Sequence, residues 1–301
     1  MVAGSAWGSE GNQLPGQGPV QESLAGAGVA TAYDATWTVL NPAAIVDVGT
    51  RLDAYLMYLK SARTLEPGGL PVVANSFAGE MVDDRPIVFP SFALTLPLGP
   101  DDVFGTGIMG LEGNDVDFRR SRSTLGRLLG NDDRRSTLQT AVMPFAFAHR
   151  FDTGWSVGAS LMVEASRLRT DSLTLRLRPT HGDFDWDWSV GAGWQVGAYR
   201  RWARWGFGAS YRSRQRMQRP NRYGDLTQFS IDAPPQFQAG LSYRPTPRWE
   251  LLLDYRYIGW ARTPQFGSET IPRGGLQWDD QHIVKAAAAF DLNDAWTFRA
   301  G

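Results

Sequence analysis

Histidine and serine are the side chains of this 301-residue chain that could support hydrolysis by a nucleophile. The chain has three histidines, each near a predicted strand end or in a loop: His149, His181 and His282. A serine hydrolase needs a serine and a histidine at matching depth on one face. The serines on the polar face of the predicted strands have no histidine on the expected neighbouring strands: Ser156, Ser160 and Ser242. We therefore expect no enzyme activity.

Three aspartates at alternate positions, Asp183, Asp185 and Asp187, have the spacing of calcium ligands in a loop. Trp186 and Trp188 lie between and beside them, and no glycine or glutamate completes the calcium-loop pattern. The chain contains no cysteine, which excludes disulfides, zinc–thiolate sites and thiol catalysis. We expect no metal site, and place the aspartates on a solvated rim.

A glycine-rich start at Gly26-Ala27-Gly28 is similar to a dinucleotide-binding loop, but Thr31 occupies the position of its third glycine. No strand precedes it either, so we expect no nucleotide cofactor. The chain has 30 basic and 31 acidic residues, and this balance gives no reason to expect a nucleic-acid partner.

Strict alternation of side chains is the strongest signal in the sequence, and residues 249–257 show it most clearly. One face carries Trp249, Leu251, Leu253, Tyr255 and Tyr257, and the other carries Glu250, Leu252, Asp254 and Arg256. The same period of two occurs in residues 155–164, 183–198, 205–212 and 236–243. Period two indicates strands, and these runs approach or exceed the ~9–11 residues that a membrane-crossing strand needs.

Short turns alternate with long segments along the chain. We predict turns near residues 99–101, 152–154, 203–204, 245–247 and 293–294, with long irregular segments at 62–85, 114–136, 167–182, 216–228 and 261–278. Strands are expected to begin near Thr50, Arg85, Asp102, Thr137, Gly154, Asp183, Arg204, Ser230, Arg248, Asp279 and Ala295. Short turns at one end and long loops at the other are typical of an outer-membrane barrel.

Four of the short turns are followed at once by tryptophan: Trp155, Trp205, Trp249 and Trp296. We predict that these side chains form an interfacial aromatic belt, where an indole ring is buried while its N–H stays wet. Their recurrence also suits β-propeller blades, but a blade has four short strands rather than two long ones. A soluble sandwich would have a polar outer face. We therefore predict an all-β, transmembrane antiparallel barrel.

Residues 24–45 show neither strand nor helix periodicity and are dense in glycine and alanine. Asn41-Pro42-Ala43 could cap and start a short helical turn. We predict a plug formed by residues 1–47 inside a wall formed by residues 48–301; an ordinary loop before the first strand is the alternative. No secretory signal is visible at the start of the sequence. The last strand stops in mid-pattern, so we expect further strands beyond residue 301.

Several segments in this order resemble the outer-membrane long-chain fatty-acid and hydrocarbon transporter family of the FadL/TodX type. They are residues 26–30, 41–44, 182–188, 208–213, 254–260, 278–281 and 292–301. The resemblance implies a fourteen-stranded barrel, of which about ten and a fraction are present here. It also implies an internal hatch formed by the N-terminal segment, with Asn41, Pro42 and Ala43 docked against the wall.

The same resemblance implies passive uptake of a hydrophobic small molecule that leaves sideways beside a kinked third strand. The glycines of that strand are the lateral-gate candidates: Gly105, Gly107 and Gly110. The predicted external loop supplies the substrate-capture candidates: Phe118, Leu125, Leu128 and Leu129. The last three have helical spacing. Packing of this loop against a neighbour, with its arginines bound to lipopolysaccharide phosphates, is the alternative.

The sequence thus predicts transport without covalent chemistry or cofactor, by a monomer in the bacterial outer membrane surrounded by lipid and lipopolysaccharide. A general diffusion porin and a structural outer-membrane barrel remain as alternatives. A porin requires an open lumen, which the predicted hatch would fill. Whether the substrate is a fatty acid, an alkane or an aromatic hydrocarbon is left open.

Overall fold

The computed structural model describes residues 10–60, 63–65, 81–83, 86–117, 135–170, 185–219, 230–267 and 277–301. Strands dominate this part of the chain. They are β1 (Arg51–Lys60), β2 (Arg63–Leu65), β3 (Met81–Asp83), β4 (Pro86–Pro97), β5 (Asp102–Asp117), β6 (Arg135–Arg150), β7 (Trp155–Thr170), β8 (Asp187–Trp202), β9 (Trp205–Arg212), β10 (Arg216–Met217), β11 (Gln236–Thr246), β12 (Trp249–Ile258), β13 (Gln281–Asn293) and β14 (Trp296–Ala300).

One antiparallel sheet contains all of these strands except β2 and β3, which pair with each other. Its order is β1-β4-β5-β6-β7-β8-β9-β11-β12-β13-β14, with β10 paired to β8. Each long strand therefore lies beside the next long strand of the chain, as connections by turns and loops require. The predicted all-β, antiparallel fold class is confirmed.

The strand starts agree with the predicted ones to within a few residues, and β11 differs most. It begins at Gln236 rather than near Ser230. Pro234 and Pro235 stand immediately before it. Proline has no N–H to donate to a β-ladder, so regular pairing starts only after these two residues.

The polarity of the sheet is the reverse of that in a soluble protein, as β12 illustrates. Its apolar and aromatic side chains on one face are 38 to 54 % exposed: Trp249, Leu251, Leu253 and Tyr255. Its charged side chains on the other face are at most 8 % exposed: Glu250, Asp254 and Arg256. Charged residues are rarely buried while large apolar ones face outward. A wall whose outer face contacts lipid requires this arrangement.

The enclosed face of the sheet packs against residues 10–47, hereafter the N-terminal segment. This segment contains α1 (Gly18–Ser23), α2 (Trp37–Leu40) and a 3₁₀-helix (Pro42–Asp47). Asn41 caps the 3₁₀-helix, its side chain accepting from the Ala43 N–H, with Pro42 in the first position as predicted. The main core forms between segment and wall: Leu24, Trp37 and Ile45 cluster with Ala146, Ala148 and Leu252.

The contacts of α1 show that the sheet is curved. This six-residue helix, only about 9 Å long, contacts both β1 and β14, the first and last strands of the sheet order. The sheet must therefore bend around the N-terminal segment. A second 3₁₀-helix (Trp260–Arg262) and α3 (Pro264–Gly267) follow β12. None of the helices among the described residues is long and apolar enough to cross a membrane.

The third long strand, β5, is irregular where its glycines predicted a bend or bulge. Its register against β6 shifts between Gly110 and Glu112, which leaves Leu111 as the extra residue of a β-bulge. Its pairing with β4 ends at Phe92 and Ile108. Residues 86–91 of β4 and 109–117 of β5 are therefore not paired with each other; we call this place the β4–β5 gap.

Candidate functional site

Asn41 fixes the N-terminal segment to the wall through three hydrogen bonds. Its Nδ2 donates to the Val29 carbonyl (2.8 Å) within the segment and to the Ala198 carbonyl (3.2 Å) of β8, while its Oδ1 accepts from the Ala43 N–H (3.1 Å). The side chain is fully buried. One amide thus joins two parts of the segment to a wall strand.

The wall surface that receives this corner is lined by glycine. A Cβ on Gly158 of β7 would overlap the backbone of Pro42 and Ala43, and one on Gly197 of β8 would overlap the Asn41 side chain. A Cβ on Gly208 of β9 would overlap the Val29 carbonyl. These three positions, hereafter the glycine seam, let two backbones approach to a distance that any side chain would prevent.

Replacing Asn41 by Ala should loosen the N-terminal segment. The substitution removes the helix cap and leaves the buried carbonyl groups of Val29 and Ala198 without their donor, at a cost of about 2–4 kcal/mol. We expect faster amide hydrogen exchange over residues 41–47, measured by mass spectrometry, while the wall strands keep their protection. Asn293→Ala is the control, since Asn293 caps an exposed turn through the Ala295 and Trp296 N–H groups. Equal exchange in wild type and Asn41→Ala would contradict this anchoring role.

The start of the N-terminal segment pairs with β5 beside the β4–β5 gap. The Leu14 N–H donates to the Leu111 carbonyl and the Gly113 N–H donates to the Asn12 carbonyl, both at 3.2 Å. Between these bonds, Gln13 Nε2 donates to Glu112 Oε1 (3.1 Å). The segment therefore satisfies backbone groups of β5 that β4 leaves unpaired.

Apolar side chains line the gap on its enclosed side. Leu14 of the segment packs with Met57 of β1 and with Ile87 and Phe89 of β4. All four are less than 9 % exposed. The gap thus offers an apolar surface, closed by the N-terminal segment.

The three predicted gate glycines have different positions. Gly105 and Gly107 lie where β5 is still paired with β4, and a Cβ on Gly105 would overlap Thr38 of the N-terminal segment. Gly110 lies beyond that pairing, beside the Phe89 ring, where a Cβ would come within 2.7 Å. Bulk at position 105 would press on the segment rather than fill the gap.

A buried ionic cluster holds the beginning of the segment against β12 and β13. Glu10 forms ion pairs with Arg256 Nη1 (2.6 Å) and with Lys285 Nζ (2.5 Å). The other terminal nitrogen of Arg256, Nη2, donates to Gln13 Oε1 (3.0 Å) and to Gln236 Oε1 (2.5 Å). Removing one member of such a cluster leaves a buried charge uncompensated, which is strongly destabilising. The cluster therefore holds the start of the segment against the wall.

Two further carboxylates of β12 bind the middle of the segment. Asp254 Oδ2 accepts from the backbone N–H groups of Gly28 (2.8 Å) and Val29 (2.9 Å). Glu250 accepts from the Tyr33 hydroxyl (2.7 Å) and forms an ion pair with Arg201. The charged face of β12 is therefore used to bind the N-terminal segment.

Burial also affects the titratable groups of the segment itself. Desolvation raises the pKa of Asp34 above its ordinary value, although Thr36 donates both its N–H and its hydroxyl to that carboxyl group. Desolvation, with the neighbouring Glu250 charge, likewise raises the pKa of Tyr33. The Tyr33 hydroxyl therefore stays protonated and serves as a donor to Glu250.

A partly open pocket lies between the segment and the wall. Its lining includes four apolar residues: Leu14, Val39, Leu40 and Leu111. Amides, a hydroxyl and guanidinium groups line the remainder: Gln17, Gln21, Gln195, Ser210, Arg212, Gln236, Gln238 and Arg256. Convergent polar groups of this kind can fix the orientation of a bound molecule.

Sequence reasoning did not select these polar residues, although it placed several of them on the non-aromatic face of their strands. Gln195, Arg212 and Gln236 form one row across β8, β9 and β11, because Gln195 pairs with Arg212 and Arg212 with Gln236. Long polar side chains on the enclosed face were the available signal. The register that aligns them depends on the pairing of strands and could not be read from any single strand.

The remaining predicted site residues are the substrate-capture candidates of the external loop and the belt tryptophans. Phe118, Leu125, Leu128 and Leu129 lie outside the described residues. Each belt tryptophan is the first residue of its strand, and each is at least 36 % exposed: Trp155, Trp205, Trp249 and Trp296. Their shared position at the short-turn end agrees with a belt, whose membrane role remains a prediction. No group of three or more possible metal ligands occurs within the described ranges.

Solved structures share this fold at low sequence identity. The P. putida toluene transporter TodX matches with a TM-score of 0.70 and 15 % identity, over 93 % of this chain and 81 % of TodX. The Ralstonia pickettii toluene transporter TbuX matches with 0.64 and 18 %, over 95 % and 85 % of the two chains. A Pseudomonas aeruginosa FadL homologue matches with 0.64 and 14 %, over 96 % and 80 %. No protein-family model and no curated protein sequence matches the chain.

The matches extend over nearly the whole chain. The all-β fold expected from the sequence resemblance is thereby confirmed: this chain has the fold of the FadL/TodX-type hydrocarbon transporters.

Proposed function

We propose that this protein carries hydrophobic small molecules passively across the bacterial outer membrane, as a FadL-type transporter without covalent chemistry or cofactor. The observation that carries the proposal is the inverted polarity of a sheet that bends around its own N-terminal segment. The apolar outer face suits lipid, and the filled interior suits selective passage rather than free diffusion of ions. The transporter names of the structural neighbours support the same substrate class.

In this proposal, residues 1–47 act as the hatch and residues 48–301 as the wall. The bonds of Asn41 and the glycine seam support a stationary docking point for Asn41, Pro42 and Ala43. The strand-like pairing of residues 12–14 with β5 is a second contact, next to the ion pairs of Glu10. Opening a path past the hatch at this start of the segment, with the Asn41 corner held in place, would require breaking both.

Lateral release is proposed at the β4–β5 gap. β4 and β5 share no pairing there, and Leu14, Ile87 and Phe89 provide an apolar lining. A hydrophobic molecule leaving sideways enters lipid directly and never meets water, which avoids the cost of hydrating its apolar surface. Gly110 borders this route, whereas Gly105 and Gly107 lie in the paired part of β5.

Placement in the membrane is proposed from the exposed aromatic residues. The four belt tryptophans would lie at the inner interface, beside the short turns: Trp155, Trp205, Trp249 and Trp296. The surrounding partners are then outer-membrane lipid and lipopolysaccharide, and a single copy provides the wall and the hatch. Native mass spectrometry would report the copy number.

Uptake by cells tests transport against a porin. Cells that lack other uptake routes should accumulate labelled n-nonane faster when they express this protein, because the hatch leaves an apolar route. The purified protein in a planar bilayer should show no large, steady ion conductance. The empty expression vector is the control for both measurements. Free ion conductance without accumulation of the alkane would replace this proposal by a diffusion porin.

A further inference from the structure

Arg212 and Gln195 lie side by side in the pocket between the N-terminal segment and the wall. They are paired residues of β9 and β8, so their side chains project from adjacent positions on the enclosed face. Arg212 is 6 % exposed and Gln195 is 2 % exposed. Each nevertheless has one polar atom without a hydrogen-bond partner: Nε of Arg212 and Oε1 of Gln195. Buried polar atoms rarely lack partners, so this pair points to a ligand.

The orientation of the Gln195 amide is fixed by its surroundings. Its Nε2 lies close to three oxygen atoms: the carbonyls of Val39 (3.0 Å) and Leu40 (3.1 Å) and the hydroxyl of Ser210 (2.7 Å). A rotated amide would place its oxygen against two carbonyl oxygens. Oε1 is therefore the free atom, and it can only accept.

Arg212 offers the complementary group. Its Nη2 donates to the Val39 carbonyl (2.7 Å), which holds the guanidinium group in place and leaves Nε–H as a free donor. Adjacent strands thus carry one donor and one acceptor that are both buried and both without a partner in the protein. Both residues line the pocket together with Val39 and Leu40 of the N-terminal segment.

Buried carboxyl groups already lie near both guanidinium groups of the pocket. Arg212 interacts electrostatically with two buried glutamates, Glu112 and Glu164. The second guanidinium group of the pocket, Arg256, forms its ion pair with Glu10. An additional carboxylate beside Arg212 would lie near Glu112 and Glu164 and would lose its own hydration. A neutral polar group avoids that cost.

We propose that this pocket binds the hydroxyl group of a neutral amphipathic molecule, an alcohol or a phenol, with Arg212 Nε–H donating to the hydroxyl oxygen and Gln195 Oε1 accepting its proton. A hydroxyl is the smallest group that accepts and donates at once. The apolar part of the molecule lies against Val39, Leu40 and Leu111. This inference rests on the proposed transport function and narrows its substrate class from hydrocarbons to hydroxylated hydrophobic molecules.

Probes of matched size test the inference. 1-Octanol and n-nonane have equal numbers of heavy atoms and differ by the hydroxyl group; octanoate adds a full negative charge. Binding of each labelled probe to the full chain in nanodiscs is measured relative to the lipid-partitioned probe in empty nanodiscs. We expect 1-octanol to bind about tenfold more tightly than n-nonane, the factor that one hydrogen bond to a charged group contributes.

Two variants remove the two halves of the site independently. Arg212→Met removes the donor from β9, and Gln195→Met removes the acceptor from β8; both should abolish the preference for 1-octanol while n-nonane binding is retained. Arg201→Met is the matched control, because Arg201 also reaches the N-terminal segment, through Thr31, but does not line the pocket. It should keep the preference. Gel mobility with and without heating verifies that each variant is folded.

Equal binding of 1-octanol and n-nonane to the wild type would overturn the inference, as would a preference that survives either substitution. Tighter binding of octanoate at pH 8 would overturn it in favour of a carboxylate site. The transport proposal is tested separately by n-nonane accumulation in cells. A folded protein that prefers 1-octanol but supports no uptake would leave the binding site intact and refute transport.

Discussion

Uptake of an apolar substrate is expected to fall to the level of cells without the protein when Gln13→Cys and Glu112→Cys are combined and oxidised. The backbone bonds from Leu14 to Leu111 and from Gly113 to Asn12 flank this pair, so Gln13 and Glu112 form a non-hydrogen-bonded antiparallel pair. Such pairs have Cα atoms about 4.5 Å apart, within the range that a disulfide spans. The bond would lock the hatch start across the β4–β5 gap.

Reduction provides an internal control for this experiment. The natural chain has no cysteine, so no other disulfide can form within the variant. Treatment with a reductant should restore uptake, and each single-cysteine variant should respond to neither oxidant nor reductant. Measured accumulation of labelled n-nonane before and after reduction decides the result. Undiminished uptake by the fully oxidised double variant would place the substrate route elsewhere.

Replacing Leu253 by Arg is expected to destabilise the protein by about 2–4 kcal/mol in lipid, the cost of a cation on the lipid face near the bilayer midplane. Leu253 points outward and is 54 % exposed. With strands tilted by about 45° and an apolar band ~25 Å tall, the midplane lies about five residues from the interface. Counted from Trp249, Leu253 and Tyr255 are nearest to it.

A series along the same face separates a lipid environment from water. Leu251→Arg should cost less than Leu253→Arg, and Trp249→Arg should cost about 0–1 kcal/mol because it lies at the interface. Folding free energies are measured by urea titration in lipid vesicles. On a water-exposed surface all three substitutions would stay within about 0.5 kcal/mol. Equal, small effects at the three positions would therefore exclude the membrane placement.

The wall could be predicted from sequence because lipid and the enclosed polar surface impose opposite requirements on alternate residues. The faces assigned to Trp249, Leu251, Glu250 and Asp254 agree with the structure. The turns could be located from the sequence because four of them are followed by a strand that begins with tryptophan. The strand that starts at Trp296 is one of these. Each of these signals is local to one strand.

The contacts of the N-terminal segment could not be predicted from local sequence patterns, because they join residues that are far apart in the chain. Glu10 binds Arg256 and Lys285, which are separated from it by most of the chain. Asn41 was recognised through its local cap and a resemblance, but its bond to Ala198 depends on how the sheet bends. For the same reason, Gln195 and Arg212 could be assigned to a face while their common row could not be predicted.

The glycine seam has a consequence for tolerance to mutation. Gly158, Gly197 and Gly208 lie on three consecutive wall strands, and at each of them a single methyl group would overlap the N-terminal segment. In a saturation mutagenesis experiment, these enclosed positions should reject even alanine, whereas nearby outward positions such as Val157 should accept most apolar residues. Contact with the N-terminal segment would thus appear in the mutagenesis data as three neighbouring wall positions that tolerate only glycine.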